Sequence, residues 1–227
     1  PQSFLERSHV IDLHCDTPMR ITAEGFDLGL RNDYGQVDIP RLREGGYTGV
    51  FFSVYCSAAR GATPEKFQQS LEIIAAIEKE VARHPGDLFL ATTAAEIERA
   101  KSDGKIAILL GVEGGHMIDS SLDNLRALFE RGGRYLTLTH SKHTPWAGSS
   151  GDAASDDPGL TELGREIVAE MNALGMMVDV SHISDDAFWD VMEIARAPVI
   201  ASHSSLRRFL PGFERNLADE MIQRVAA

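Results

Sequence analysis

Five apolar runs of strand length in this chain end in a residue that can hold a divalent cation: VIDLHCD, IAILLGVEGGH, YLTLTH, MMVDVSH and PVIASHSS. The coordinating candidates are His14, Asp16, Glu113, His140, His182 and His203. Imidazole and carboxylate are ligand types that suit zinc and its divalent neighbours. His14 and Asp16 lie two residues apart, a spacing that sends both side chains to one face of a strand. Glu113 is followed by Gly114 and Gly115, where the missing Cβ atoms permit close approach of backbone or ligand. His182 and His203 are each preceded by a serine, Ser181 and Ser202, able to fix the ring through its second nitrogen. Three His, one Asp and one Glu exceed the three protein ligands plus water of a mononuclear catalytic zinc. The surplus points to two ions sharing a carboxylate, roughly 3.5 to 4 Å apart, that lower the pKa of a common water and polarise a carbonyl or phosphoryl oxygen. From spacing alone His140 reads equally well as a sixth ligand.

Convergence of such distant residues requires elements that deliver their ends to one place. The runs His9–Asp16, Val50–Cys56, Leu88–Thr93, Ile106–Glu113, Tyr135–His140, Met176–His182 and Pro198–His203 are apolar, β-branched or aromatic, the third being the weakest. Helical periodicity lies between most of them. Residues 64–83 carry Phe67, Leu71, Ile74, Ala75 and Val81 on one stripe, with Thr63 as N-cap and Pro64 at the first helical position. Residues 121–131 repeat Leu122, Leu125, Leu128 and Phe129 before Gly132, and residues 160–174 repeat Leu163, Ile167, Met171 and Leu174 before Gly175. A fourth helix is expected over 185–195 behind Ser184, and LADEMIQRVAA is helix-like.

Strands apolar on both faces that alternate with helices predict an α/β fold with a parallel sheet. An open doubly wound sheet and a closed (β/α)8 TIM-like barrel both satisfy the pattern. Functional residues after at least five strands favour the barrel, whose site gathers at the carboxyl ends of all its strands. A full barrel has eight strand–helix units, so the last two are expected to be missing from this chain. Two long loops, residues 17–46 and 141–159, follow strand ends and are expected to serve function.

Composition narrows the function classes. The formal charge of −12 and the scarcity of clustered Lys and Arg argue against a nucleic-acid footprint. No apolar stretch approaches the roughly 20 residues of a bilayer-spanning helix. PQSFLERSHV lacks the charged start and apolar core of a signal peptide. A cytoplasmic location is expected, although a chain that starts at Pro1 without Met leaves room for a leader removed earlier. Cys15 and Cys56 sit in or at the end of strand-like runs, so free thiols are expected rather than a disulfide. His116 and His143 read as loop hydrogen-bonders and His84 as a helix-end cation, while Trp146 reads equally as pocket cover or loop packing.

Several longer segments carry a resemblance: HxD at His14 to Asp16, GQVDIPRLREGG, GVEGGH, RYLTLTHSKHTPWA, GLTELGREIVAEMNALGMMVDVSH, and APVIASHSSLRRF with the later Arg215-Asn216. In these the chain resembles the membrane (renal) dipeptidase family, zinc metallopeptidases among the amidohydrolase-like barrels. The resemblance implies two Zn2+ ions, with His14 and Asp16 on one, His182 and His203 on the other and Glu113 bridging. It implies that His140 contacts the substrate and helps stabilise the oxyanion, and that Arg215 binds the terminal carboxylate of the substrate. Without the resemblance Arg215 reads as a surface arginine. The longer His203–Arg215 spacing makes Arg207 and Arg208 the substitutes.

The implied reaction is hydrolysis of dipeptides by a metal-bridging hydroxide, in a single metallo-dipeptidase barrel domain over residues 1–227 that is incomplete at its C-terminal side and could form a homodimer. The family's last strand bears an aspartate in a GGDxDG-like segment, and residues 1–227 contain no such segment. The alternatives are another amidohydrolase-type reaction on a lactone or acylamino acid, and a catalytically dead homologue that keeps the ligands without the proton shuttle.

Overall fold

The computed structural model describes residues 7–22, 26–58, 63–152 and 158–227. Residues 1–6 at the amino terminus, and parts of the two long loops, residues 23–25 and 153–157, lie outside the described residues. The fold is α/β, with every strand pairing between named strands parallel where the register is given. Two compact units emerge, one of residues 1–55 and 71–111, the other of residues 56–70 and 112–227.

The first unit contains β1 (Ile11–Cys15), β2 (Gly49–Val54), β3 (Leu88–Leu90) and most of β4 (Ile106–Glu113). Its strand order is β1-β2-β4, with β3 paired to β4. Between β1 and β2 lie the short helices α1 (Pro18–Ile21) and α2 (Ile39–Glu44), the latter capped by Asp38, whose carboxylate accepts from Arg41 N. Helix α3 (Pro64–Arg83) begins at the proline, which has no N–H to leave unpaired, and only Leu71–Arg83 belong to this unit. Helix α4 (Ala94–Ser102) follows β3. Val50, Phe52, Ile74, Ile77, Ile108 and Leu110 form the core, as expected where a parallel sheet is covered and its strands lose alternation.

The second unit contains the end of β4, β5 (Gly133–Thr137) and β6 (Met177–Asp179) in that order, with α5 (Leu122–Glu130), α6 (Glu162–Leu174), α7 (Asp185–Ile194) and α8 (Asp219–Val225). Tyr135, Leu136 and Thr137 pair in register with Met177, Val178 and Asp179. Helix α6 packs on α5, α7 and β6, and its stripe of Ile167, Val168 and Met171 is fully buried. Ser121, Thr161 and Ser184 each accept an N–H of the first turn of α5, α6 and α7, and Gly175 closes α6 at φ 75°. Helix α6 starts later than its apolar periodicity predicts, because Leu160 pairs with Ala147 in an antiparallel bridge and Thr161 N donates to Trp146 O at 3.0 Å.

The expected strand over Pro198–His203 is reduced to one parallel bridge, Asp179 to Ile200, held by Val180 N to Ile200 O (2.8 Å) and Ile200 N to Val178 O (2.9 Å). The expected runs at 135–140 and 176–182 likewise stop early, so that His140 and His182 stand just past the ladder rather than on it. Among the described residues no helix is long and apolar enough to cross a membrane.

Candidate metal centre

In the first unit, β1 slips register between Asp12 and Cys15, three steps along β1 matching two along β2. Such a bulge re-aims the side chains around it. The His14 side chain is 7% exposed and Asp16 56%, and His14 Nε2 lies 3.4 Å from Asp16 Oδ1. His14 N donates to Asp12 Oδ1 at 3.0 Å, which tethers the strand end. Cys15 is buried, its thiol donates to Thr17 Oγ1 at 3.1 Å, and burial pushes the thiol pKa up. Cys15 and Cys56 are free thiols.

In the second unit the cluster is denser. Glu113, 4% exposed at the end of β4, presents Oε1 to three imidazoles: His203 Nε2 at 3.2 Å, His182 Nε2 at 3.3 Å and His140 Nε2 at 3.6 Å. His182 Nε2 and His203 Nε2 are 2.8 Å apart, and the His140 and His182 rings lie 4.5 Å centroid to centroid. Burial pushes the His182 imidazole down to about 4, which keeps it neutral near pH 7 with a lone pair to offer.

The backbone is shaped to hold these groups. Gly114 takes φ 113°, and a Cβ on Gly115 would overlap the Trp146 indole and the Leu138 carbonyl. The two glycines therefore let β4 turn sharply directly after Glu113. His182 takes φ 70°, a strained value for a residue with a side chain. Its carbonyl accepts from Thr139 Oγ1 (3.1 Å), Ser150 N (2.9 Å) and Ser150 Oγ (3.0 Å), which over-determine that turn. Ser149 Oγ donates to the His140 carbonyl, so the loop after β5 braces both histidines.

Other residues singled out by sequence resolve differently. Trp146 is fully buried under Gly115, so it packs the loop. His116 Nε2 meets Cys56 O at 2.8 Å, and His143 Nδ1 accepts from Ser149 N at 2.9 Å, both loop roles. His84 faces Asp27 (3.1 Å) and Glu80 (3.3 Å). Arg83 already bridges those two carboxylates at 2.7 and 2.6 Å, which makes that trio a structural network. Of the two serines expected to orient rings, Ser202 meets His203 Nδ1 at 2.7 Å, whereas Ser181 Oγ accepts from His203 N at 3.1 Å and does not orient His182.

Sequence reasoning missed Asp179. It is fully buried at the end of β6 and accepts from Thr137 Oγ1, Ser202 Oγ, Ser181 N and Ser202 N. An acid inside the apolar run MMVDVSH was the available signal, since buried carboxylates are rare without dedicated partners.

A parallel α/β fold with a buried carboxylate ringed by imidazoles just past strand ends offers the nitrogen and oxygen donor set that fits a divalent ion such as zinc. The chain belongs to the membrane dipeptidase family, peptidase family M19, whose model matches residues 2–227. It is 38% identical to Dipeptidase 3 of Mus musculus over 94% of this chain and 44% of that protein. Among solved structures it resembles the probable dipeptidase PvdM of Pseudomonas aeruginosa, with a TM-score of 0.88 and 26% identity over 97% of this chain and 58% of that one. It also resembles a metallo peptidase of Rhodobacter sphaeroides liganded with a phosphinate mimic of L-Ala-D-Ala, with a TM-score of 0.84 and 27% identity over 96% and 70% of the two chains. The chain thus spans about half the length of the curated relative it matches.

Proposed function

We propose that this protein is a binuclear zinc dipeptidase in which His14 and Asp16 would hold one ion and His182 and His203 the other, with Glu113 serving both. The observation that carries the reading is the convergence of three imidazoles on one buried Glu113 oxygen, at 3.2 to 3.6 Å. When bound, such ions supply Lewis-acid polarisation of the scissile carbonyl and a lowered pKa for an attacking water. His140, braced through its carbonyl by Ser149, donates toward the carbonyl oxygen as negative charge grows there. Arg215 holds the free carboxylate of the dipeptide and so fixes which bond faces the centre. The phosphinate dipeptide mimic bound by the Rhodobacter sphaeroides relative supports a dipeptide as the substrate class.

The test is hydrolysis of L,L and L,D dipeptides by the protein before and after chelation, with metal counted in parallel. Activity should vanish on chelation and return with zinc, and His182→Ala should retain fewer ions per chain than the parent. Full turnover without bound metal rules the reading out. Preference for lactones or acylamino acids would move the reaction to the other amidohydrolase class, and tight metal binding with no turnover would leave a binding protein.

A further inference from the structure

We propose that Asp179, through Ser202, places a proton on His203 Nδ1 and so leaves Nε2 as the nitrogen offered toward Glu113. The inference rests on the reading of His203 as a metal ligand and adds a positioning residue to it.

A carboxylate has about four acceptor directions and no donor. Asp179 fills them with four donors: Oδ1 accepts from Ser202 N at 2.9 Å and Ser181 N at 3.1 Å, and Oδ2 accepts from Ser202 Oγ and Thr137 Oγ1, both at 2.6 Å. A serine has one hydroxyl proton, and Asp179 takes that of Ser202. Toward His203 Nδ1, 2.7 Å away, the Ser202 oxygen is then limited to accepting. Nδ1 must carry a ring proton, and Nε2 is the nitrogen turned to Glu113 Oε1 (3.2 Å) and His182 Nε2 (2.8 Å).

The opposite arrangement is excluded by the same distances. Were Ser202 to donate to Nδ1, its oxygen would face the Asp179 oxygen at 2.6 Å with no proton between them. The proton on Nε2 would then point where the ion belongs. Metal-binding histidines commonly donate their other N–H directly to a carboxylate. Here a serine is interposed, and Asp179 also grips the backbone N–H of Ser202, so ring and main chain are positioned by one buried acid.

The experiment combines nitrogen NMR of the imidazoles in metal-free protein with zinc affinity from competition against a chromophoric chelator. In the parent, His203 should be the single Nδ1–H tautomer. Ser202→Ala should give mixed tautomers and weaken one zinc site by about 10- to 100-fold while sparing the other. Ser202→Thr, which keeps the hydroxyl, should restore both readouts. Asp179→Asn should act like Ser202→Ala if it folds, and Ser202→Ala decides the matter if it does not. An unchanged tautomer and unchanged affinity in Ser202→Ala would overturn the proposal. If His203→Ala leaves both zinc sites intact, the metal-centre reading fails instead, and the tautomer measurement alone decides the role of Asp179.

Discussion

Four arginines follow His203, and the partners of the first three separate them. Arg207 forms a two-pronged pair with Asp185 at 2.6 Å on each arm, and Arg208 pairs with Asp219. Arg215 meets only uncharged acceptors, Ser204 Oγ at 2.9 Å and His203 O at 2.8 Å, with no ion-paired carboxylate among the described residues. Burial lowers its pKa, opposed by the charges of Asp179 and Glu113. A half-buried guanidinium that meets no carboxylate among the described residues is suited to accept one from a substrate. Arg215→Lys should therefore lower kcat/KM for dipeptides by about 10- to 100-fold, the equivalent of one charge-assisted hydrogen bond of ~1.5–3 kcal/mol. Dipeptide amides, which lack the free carboxylate, should show no such difference between parent and variant. Equal losses on acid and amide would remove Arg215 from substrate binding, and Arg207→Lys serves as the control that changes stability alone.

At the level of elements, the least legible helix supplies its own test. Helix α4 has a mostly polar surface, with Ala100 its buried residue, so apolar periodicity gave no warning of it. It exists because Thr93 and Glu96 close a capping box: Thr93 Oγ1 accepts from Glu96 N at 3.2 Å while Glu96 Oε2 accepts from Thr92 N at 2.8 Å and Thr93 N at 3.1 Å. Those bonds hold the Glu96 carboxyl below its ordinary range, the Thr92 N–H contributing most. Thr93→Ala should cost about 1 kcal/mol of stability, read from the urea midpoint. A carboxyl whose folded pKa is depressed contributes above its unfolded pKa of about 4.3 and loses that contribution as pH falls through the folded value. The stability gap between the parent and Glu96→Gln should accordingly narrow below about pH 4, and a constant gap would detach the cap from the charge.

Sequence legibility elsewhere followed the same physics. β4 was read to its residue limits because both faces are buried and the run is unbroken, whereas β6 was read too long. Its ladder stops at Asp179, where backbone donors turn to the carboxylate. The imidazoles gathered on Glu113 were legible from strand-end position. The bulge that re-aims His14 and the left-handed turn at His182 were not, since both depend on tertiary hydrogen bonds that leave no local signature.

For the whole molecule, the Glu113 cluster in the second unit is a stability liability as well as a candidate site. Glu113 is buried among half-buried imidazoles, and holding a carboxylate out of water is costly unless cations pair with it. An ion bound only by the folded state converts that cost into a linkage, so unfolding must release it. With free zinc at about 100 times its dissociation constant, the folded state should gain ~2.7 kcal/mol per site. For a chain of this size that corresponds to a rise in Tm of about 5 to 10 °C, readable by scanning calorimetry with and without chelator. The double variant His182→Ala, His203→Ala should lose the share of the shift owed to its site. A shift that survives there in full would place the stabilising ion elsewhere. The candidate would then be the Asp27, Glu80 and His84 trio, and Asp27→Asn would abolish the shift only in that case.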